Sequence, residues 1–157
     1  MALKERLEKT KEIKVWFGEL PVESLYTAGI AGERFLRTLK DKGEFTGTKC
    51  ERCGIVYVPG RIFCERCLAR LEEWVKVGSS GVLESWTVLH QGLDGKGLEK
   101  PITVGMVRLD GASTVIIHLL DNLDGKALKI GMRVKAVLKP KNKRTGAITD
   151  ILYFQPE

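Results

Sequence analysis

The four cysteines of this 157-residue chain are its clearest candidates for chemistry, because they lie close together in two pairs. Cys50 and Cys53 form the first Cys-x-x-Cys pair, Cys64 and Cys67 form the second, and ten residues separate the pairs. Thiolates at this spacing are typical ligands of a tetrahedral Zn²⁺ ion, with Zn–S distances of about 2.3 Å. The sequence therefore predicts a structural zinc site with Cys50, Cys53, Cys64 and Cys67 as its ligands.

The stretch between the pairs, GIVYVPGRIF, is apolar and turn-forming, which predicts a short hairpin that brings both turns onto one ion. Gly54 directly follows Cys53 and can supply the positive φ angle that such a turn needs. A ribbon this small has little core of its own, but structural zinc contributes about 10–16 kcal/mol to the folding of small peptides. Four thiolates leave no open coordination position, so we expect structural rather than catalytic zinc, with rubredoxin-like iron as the chemical alternative.

Outside the cysteine pairs, few side chains have the character of catalytic groups. His118 lies within the apolar run STVIIHLL, which predicts a buried, hydrogen-bonded core residue. His90 precedes the loop QGLDGKGLEK, whose glycines and Lys96 suit a ligand-binding loop but lack the spacing of a P-loop. The sequence shows no recognisable Ser/His/Asp arrangement, and its cysteines are assigned to metal. The residues therefore predict no enzyme.

The positive charge of the chain is concentrated near its C-terminus. The net charge is +6, and residues 129–144 contain seven Lys or Arg and no acidic residue. Such a segment favours nucleic acid, a phosphorylated cofactor or an acidic partner, and the alternative is a strand edge kept soluble by lysine. The candidate phosphate or nucleic-acid residues are Lys135, Lys139, Lys141, Lys143 and Arg144.

The elements that must position these residues change character along the chain. Before the cysteines, the spacing of Leu3 and Leu7, and later of Phe35 and Leu39, predicts helices that end at Gly43. The first residues, MALKERLEKTKEIK, are charged throughout and unlike a secretory signal peptide. Because clustered reduced cysteines also suit an intracellular compartment, we expect a cytoplasmic protein.

From Gly81 onwards the chain alternates between short strand-like runs and turns. In GVLESWTVLH, Val82, Trp86 and Val88 are predicted to share one face of a strand, and barrel core is the more common role for Trp86. STVIIHLL is nearly all apolar, which predicts a strand buried on both faces. Five such runs in succession indicate a five-stranded Greek-key barrel of the OB type.

The predicted fold is therefore mainly β, with N-terminal helices, a rubredoxin-like zinc ribbon and a five-stranded OB-fold barrel. We expect an N-terminal helical segment at 1–45, the zinc ribbon at 46–75 and the OB-fold at 76–157.

The order of these parts resembles a known two-domain family of zinc-ribbon and OB-fold proteins that are associated with acyl-CoA enzymes, formerly a domain of unknown function. The resemblance extends from about Tyr26 to Pro156 and rests on a ribbon pattern of four cysteines with a glycine, a proline and an arginine between them. These positions are Cys50, Cys53, Gly54, Pro59, Arg61, Cys64 and Cys67. Two departures are mild, since many relatives carry proline at the positions of Gly60 and Glu65.

The resemblance implies a function that composition does not. Members of the family accompany thiolases, hydroxymethylglutaryl-CoA synthases or enoyl-CoA hydratase-like enzymes, and help to hold or channel acyl-CoA. It implies a non-catalytic acyl-CoA-binding or scaffold subunit, whose candidate ligand residues are Arg61, Trp86, His90 and Lys96.

Two alternatives stay open at this point. The alternative role for Arg61 is structural, as a hydrogen-bond donor to a carbonyl of the ribbon. The alternative function for the whole chain is binding of single-stranded nucleic acid, through the basic segment and the few candidate stacking residues Tyr57, Trp86 and Tyr153.

Overall fold

The computed structural model describes residues 26–92, 94–123 and 127–157 of the chain. The predicted helix around Leu3 and Leu7 lies outside these residues. The described part contains one α-helix, three short strands and five further strands. In chain order these are α1 (Gly29–Lys42), β1 (Phe45–Lys49), β2 (Val56–Tyr57), β3 (Glu73–Val77), β4 (Ser80–Gln91), β5 (Gly97–Leu109), β6 (Ile116–Leu120), β7 (Arg133–Leu138) and β8 (Ile151–Pro156).

Helix α1 confirms the spacing expected from the sequence. Its buried face consists of Ala31, Phe35 and Leu39, one residue per turn. The helix ends at Gly43, where a left-handed φ of 69° lets the Gly43 N–H donate to the Leu39 carbonyl at 2.9 Å. This end fixes the direction in which the chain enters β1.

The ribbon, residues 45–77, is a three-stranded antiparallel sheet in the order β2-β1-β3. β1 pairs along its whole length with β3, from Phe45 opposite Val77 to Lys49 opposite Glu73. β1 and β2 approach closely because residue 47 is glycine, since a Cβ at Gly47 would collide with the carbonyl oxygen of Tyr57. The sheet therefore places both cysteine turns at one end of β1 and β2.

The five remaining strands close into a barrel in the order β4-β5-β6-β8-β7, with β7 returning to pair with β4. This arrangement confirms the predicted OB-fold. β6 and β8 run parallel and pair only at Leu120 and Phe154. The barrel wall therefore has the fewest strand pairings along this line.

Two strand predictions were wrong, for different physical reasons. A register shift between Leu83 and Ser85 breaks the alternation of β4, so Leu83 is fully buried whereas Trp86 is 42% exposed. In β6 only one face reaches the core, so the run is not buried on both faces. Its outward residues Ile117 and Leu119 are 64% and 43% exposed.

Of the two buried hydrophobic clusters among the described residues, the larger joins the helix, the ribbon and the barrel. Phe35 and Leu39 of α1 and Phe45, Val58 and Val77 of the ribbon belong to the same buried cluster as the barrel residues. The barrel contributes Leu83, Val107, Leu109, Ala112, Ile116, Leu120, Val134, Ala136, Ile151 and Phe154. The division of the chain into domains at residues 46 and 76 stays a prediction.

Hydrogen bonds reinforce this junction where β2 meets the turn between β5 and β6. The Val58 N–H donates to Thr114 Oγ1 at 2.8 Å, and Thr114 Oγ1 donates to the Val58 carbonyl at 3.0 Å. Two residues earlier in the ribbon and one residue earlier in the turn, the Val56 N–H donates to Ser113 Oγ at 3.0 Å. The ribbon is thus attached to the barrel by polar contacts as well as by packing.

Candidate metal centre and ligand surfaces

The two cysteine turns of the ribbon have the same sequence, Cys-Glu-Arg-Cys, and the same backbone geometry. The Gly54 N–H donates to the Cys50 carbonyl at 2.7 Å, and the Leu68 N–H donates to the Cys64 carbonyl at 2.9 Å. Both residues after the second cysteine are left-handed, with φ of 70° at Gly54 and 57° at Leu68. The positive φ at Gly54 confirms the prediction. Leucine in this conformation at position 68 was not foreseen.

The four sulfur atoms lie at the distances that one zinc ion requires. All lie within 4.8 Å of one another, with 3.6 Å between Cys50 and Cys67 and 3.9 Å between Cys53 and Cys64. A tetrahedron with Zn–S bonds of about 2.3 Å has edges of about 3.8 Å. Cys50, Cys53, Cys64 and Cys67 therefore form a zinc site whose four thiolates complete the coordination shell.

Tyr57 is a residue of the metal centre that the sequence reasoning missed. Its side chain is fully buried, and its hydroxyl lies 3.2 Å from Cys64 Sγ, where it donates to the thiolate. This hydrogen bond lowers the pKa of the Cys64 thiol to about 6 and raises the pKa of Tyr57 to about 12. The signal in the sequence is an aromatic residue within the apolar stretch between the cysteine pairs, for which the sequence predicts only a stacking role.

Arg61 lies in the ribbon and makes structural contacts there. Its backbone N–H donates to Thr48 Oγ1 at 2.9 Å, and Thr48 Oγ1 donates to the Arg61 carbonyl at 3.0 Å. The guanidinium pairs with Glu65 and lies 5.1 Å from the ring centroid of Tyr57. The side chain thus braces the second cysteine turn.

The other candidate ligand residues lie on the β4–β5 hairpin. Trp86 is exposed on β4 opposite Gly105, and His90 is exposed near the end of the strand. Lys96 lies in the connecting loop, 3.5 Å from Asp94 Oδ2. The structure does not gather these residues with Arg61 around either of the two grooves described below.

The basic segment forms a loop between β7 and β8 that is built around Asp150. This carboxylate is fully buried and accepts hydrogen bonds from the N–H groups of Thr145 and Gly146, at 2.9 and 2.7 Å. The loop is also held at its start, where Arg144 Nε donates to the Lys139 carbonyl at 2.7 Å. Burial by itself raises the pKa of Asp150, but these N–H donors and the nearby Lys139 ammonium outweigh it, so the pKa lies below its ordinary value.

This loop fixes the positions of most of the candidate basic residues. Lys141 and Lys143 occupy a short 3-10 turn and are exposed, whereas Lys135 lies apart from them on β7. Arg144 reaches back to Gly43 at the end of α1, so its charge adjoins the lysines of the last helical turn. A positively charged surface therefore spans the β7–β8 loop and the end of α1.

His118 lies between the core and the outer wall of the barrel. Its ring packs edge-on against Phe154, with 6.1 Å between the ring centroids. Its Nδ1 atom is buried and has no hydrogen-bond partner among the residues that the structure describes, while the backbone of Ile148 and Leu119 lies close enough to the ring to favour its protonated form. Burial lowers the pKa of His118 below its ordinary value, so the imidazole is neutral near pH 7.

Two adjoining grooves run along this outer wall. The first, of about 460 Å³, is lined by Val104, Ile117, His118, Leu119, Lys139, Thr149, Ile151 and Leu152. The second, of about 520 Å³, is lined by Lys100, Pro101, Ile102, Thr103, Leu119, Leu120, Asp121, Leu123, Leu152 and Tyr153. Leu119 and Leu152 line both, so the grooves meet at the line where β6 adjoins β8. The described part of the chain holds no helix with the length and apolar character of a membrane span.

Comparison with known proteins matches both halves of this architecture. Residues 37–72 match the family described as ChsH2, rubredoxin-like zinc ribbon domain, and residues 74–139 match ChsH2, C-terminal OB-fold domain. A DUF35 domain-containing scaffold protein of Methanothermobacter thermautotrophicus is 29% identical over 128 residues, which cover 79% of this chain and 95% of the relative. A protein of the same description from Pyrococcus furiosus is 28% identical over 106 residues, 68% of this chain and 76% of the relative.

Solved structures show the same fold. A DUF35 family protein of unknown function from Sulfolobus solfataricus superposes with a TM-score of 0.62 at 23% identity, over 82% of this chain and 87% of that one. A chain of the Ltp2-ChsH2(DUF35) aldolase superposes with a TM-score of 0.54 at 20% identity, over 79% and 93%. At these identities the likeness concerns the fold.

Proposed function

Because the chain belongs to the ChsH2, or DUF35, family of zinc-ribbon and OB-fold proteins, we propose that it is a non-catalytic scaffold subunit of an acyl-CoA enzyme. The match of both domains to this family carries the proposal, and the closed zinc site supports its non-catalytic part, since four thiolates complete the shell and leave no position for a substrate. Two curated relatives are named scaffold proteins, and one structural relative is part of an aldolase.

The partner in this proposal is a thiolase-like or hydroxymethylglutaryl-CoA synthase-like enzyme, and the scaffold helps to hold acyl-CoA beside it. The basic residues of the β7–β8 loop suit the phosphates of CoA, because exposed lysines attract phosphate through charge. In this proposal the partner enzyme completes the ligand site. The candidate ligand residues that this chain would contribute to it are Arg61, Trp86, His90 and Lys96. A reducing, cytoplasmic compartment belongs to the proposal, since it keeps four thiolates available for metal.

The test is purification of the tagged full chain from its native source, with mass spectrometry of the proteins that remain bound. We expect a thiolase-like or synthase-like acyl-CoA enzyme in stoichiometric amount, and loss of that enzyme from the Cys64→Ser variant used as control. Recovery of the chain without any acyl-CoA enzyme would contradict the proposal. Turnover of acetoacetyl-CoA by the chain alone would contradict its non-catalytic part.

The nucleic-acid alternative has less support. Of its three candidate stacking residues Tyr57 is fully buried, and the exposed outer wall of the barrel presents aliphatic side chains. A single-stranded oligonucleotide should therefore bind weakly at moderate salt. Tight binding that falls steeply with salt concentration would favour the alternative.

A further inference from the structure

The outward side chains of β5, β6 and β8 form a contiguous apolar surface on the barrel. The strand register places Val104 opposite Leu119 and Met106 opposite Ile117, so these side chains share one face of the sheet. We call this surface the apolar wall, and its residues are Ile102, Val104, Met106, Ile117, Leu119 and Leu152. All of them except Val104 are exposed large hydrophobic residues. A contiguous apolar surface of this kind marks a binding surface on a soluble protein.

The described chain starts beside the loop that leads to this wall. Ala28, at the start of α1, lines a cavity together with Thr145 and Gly146 of the β7–β8 loop. The same loop continues to Thr149, which lines the first groove beside the wall residue Leu119. The residues that precede Ala28 therefore join the described structure on the side of the barrel where the wall begins.

The residues just before this point have the composition that an apolar surface would bind. Residues 15–25, VWFGELPVESL, lie outside the described residues and contain Trp16 and Phe17 among other large apolar side chains. Ten extended residues span about 33–36 Å, which is about the diameter of a small domain. The wall therefore lies within reach of Trp16 and Phe17 on the same chain.

Charge favours the same pairing. Residues 15–25 contain Glu19 and Glu23 and no basic residue. The β7–β8 loop beside the wall carries Lys141 and Lys143, which are both exposed. Opposite charges attract over about 10 Å at moderate salt, so the loop favours an acidic segment over a basic one at this edge of the wall.

We propose that residues 15–23 dock on the apolar wall of their own chain, with Trp16 and Phe17 against Leu119 and its neighbours. Glu19 and Glu23 then lie on the side of the β7–β8 loop, toward its lysines. The docked segment covers apolar surface that would otherwise favour self-association. The inference does not depend on the proposed function, since it requires neither acyl-CoA nor a partner enzyme.

Photo-cross-linking in the zinc-loaded full chain tests this proposal. Phe17→p-benzoylphenylalanine reacts on irradiation with C–H groups that touch its side chain, and mass spectrometry of the digest identifies them. We expect cross-links to Ile117, Leu119 and Leu152. An equal mixture of isotope-labelled and unlabelled chains is irradiated at low concentration, and we expect these cross-links to join residues of one chain.

A matched pair of substitutions tests the apolar part of the contact. Leu119→Asp places a charge in the wall and should reduce the yield of wall cross-links at least about fivefold. Ile130→Asp makes the same change at an exposed residue outside both grooves and should leave the yield unchanged. Circular dichroism and zinc content establish that each variant is folded.

A second pair tests the charge. Glu23→Lys should lower the yield of wall cross-links at least about twofold at low salt and by less at high salt, because salt screens the repulsion from the loop. Glu8→Lys makes the same change outside residues 15–25 and should have no effect.

The other occupants of the wall give different results. Cross-links that join labelled to unlabelled chains would show that a second copy covers the wall, which overturns the inference. If Phe17→p-benzoylphenylalanine gives no wall cross-link and Leu119→Asp abolishes copurification of an enzyme, the wall belongs to that partner and the inference is again overturned. A wall cross-link that Leu119→Asp and Ile130→Asp affect equally would also contradict it.

Discussion

Single side chains decide how tightly the ribbon holds its metal. Tyr57 is buried among the cysteines and donates a hydrogen bond to Cys64, which stabilises the thiolate form of this ligand. Removing a group that holds a metal ligand in this way typically costs about 10–100-fold in metal affinity. Tyr57 therefore belongs to the zinc site although it does not touch the ion.

Replacing this tyrosine tests that role. Tyr57→Phe removes the hydroxyl and keeps the ring, so we expect about a tenfold loss of zinc affinity in competition with a chelator. Tyr153→Phe in the barrel is the control and should leave the zinc affinity unchanged. Equal zinc affinity of the two variants would contradict the assignment.

Leu68 offers a second prediction at this scale. It is 78% exposed and has a left-handed φ of 57°, so its side chain gives little packing while its Cβ strains the backbone. A left-handed residue other than glycine costs about 1–2 kcal/mol, which the greater freedom of unfolded glycine partly offsets. Leu68→Gly should therefore raise the free energy of unfolding of the zinc-loaded protein by up to about 1 kcal/mol.

The matched variant is Leu68→Ala, which removes the leucine side chain but keeps Cβ. We expect it to unfold at about the same denaturant concentration as the unmodified chain. A destabilisation by Leu68→Gly relative to Leu68→Ala would show that the left-handed turn is not strained.

At the scale of elements, the β7–β8 loop depends on one buried carboxylate. Asp150 holds the loop through the N–H groups of Thr145 and Gly146, and its own carbonyl accepts the Lys139 N–H at 2.9 Å. The basic side chains are therefore presented by an ordered loop. The positions of these basic side chains therefore depend on Asp150. The net charge of the chain does not reveal this role, because it counts Asp150 only as one negative charge.

Acid should loosen this loop. Because the pKa of Asp150 is lower in the folded protein than the ordinary value of about 3.9, its stabilisation is complete above that value. The stabilisation is lost as pH falls through the lowered folded-state pKa. Asp150→Asn should reduce the stability at pH 7 by about 1–3 kcal/mol and flatten the dependence of stability on pH below about 4. Denaturant unfolding at several pH values would measure both effects.

The exposed carboxylate of Asp41 on α1 provides the control for this series. Asp41→Asn should leave both the stability at pH 7 and its decline in acid close to those of the unmodified chain. If the free energy of unfolding of Asp150→Asn falls in acid as steeply as that of the unmodified chain, another group governs the acid transition.

The sequence predicted the elements well where a pattern was local. Cys-x-x-Cys spacing identified all four ligands, and the helical spacing ending at Gly43 identified α1. The prediction was wrong where the pattern depended on pairing between distant segments. The register shift after Leu83 is set by how β4 meets β5, and the exposure of Ile117 by which neighbours cover β6.

The site shows the same limit. The hydrogen bond from Tyr57 to Cys64 crosses the ribbon, and the groove at Leu119 exists only after β6 and β8 adjoin. Neither has a signature in local spacing. Residue types alone therefore predicted the metal, whereas the predicted ligand residues Arg61, Trp86, His90 and Lys96 do not line either groove.

On the scale of the whole molecule, zinc and the barrel should be energetically coupled. The ribbon residues Phe45, Val58 and Val77 belong to the same core as the barrel, and Thr114 is hydrogen-bonded to Val58. We expect loss of the metal to unfold the ribbon, which covers part of that core. Loss of zinc should therefore also lower the stability of the barrel strands, which contain no cysteine.

Cys64→Ser tests this coupling. The variant should lose zinc and unfold its ribbon, and its barrel should melt at least about 10 °C lower, since structural zinc contributes several kcal/mol. Hydrogen exchange of the amides of β5 and β8 reports on the barrel directly. Chelator treatment of the unmodified chain should reproduce the result. A variant that keeps its metal, or a barrel whose protection does not change, would contradict the account.

The continuous core also limits how this protein can be divided or recombined. Cutting the chain after β3 would leave an isolated barrel with an apolar opening where Phe45, Val58 and Val77 had been. A ribbon taken from another relative would need side chains of matching volume at these three positions, since packed interiors tolerate little change in shape. Ribbon and barrel are therefore expected to vary together in evolution, as two halves of one fitted surface rather than as interchangeable modules.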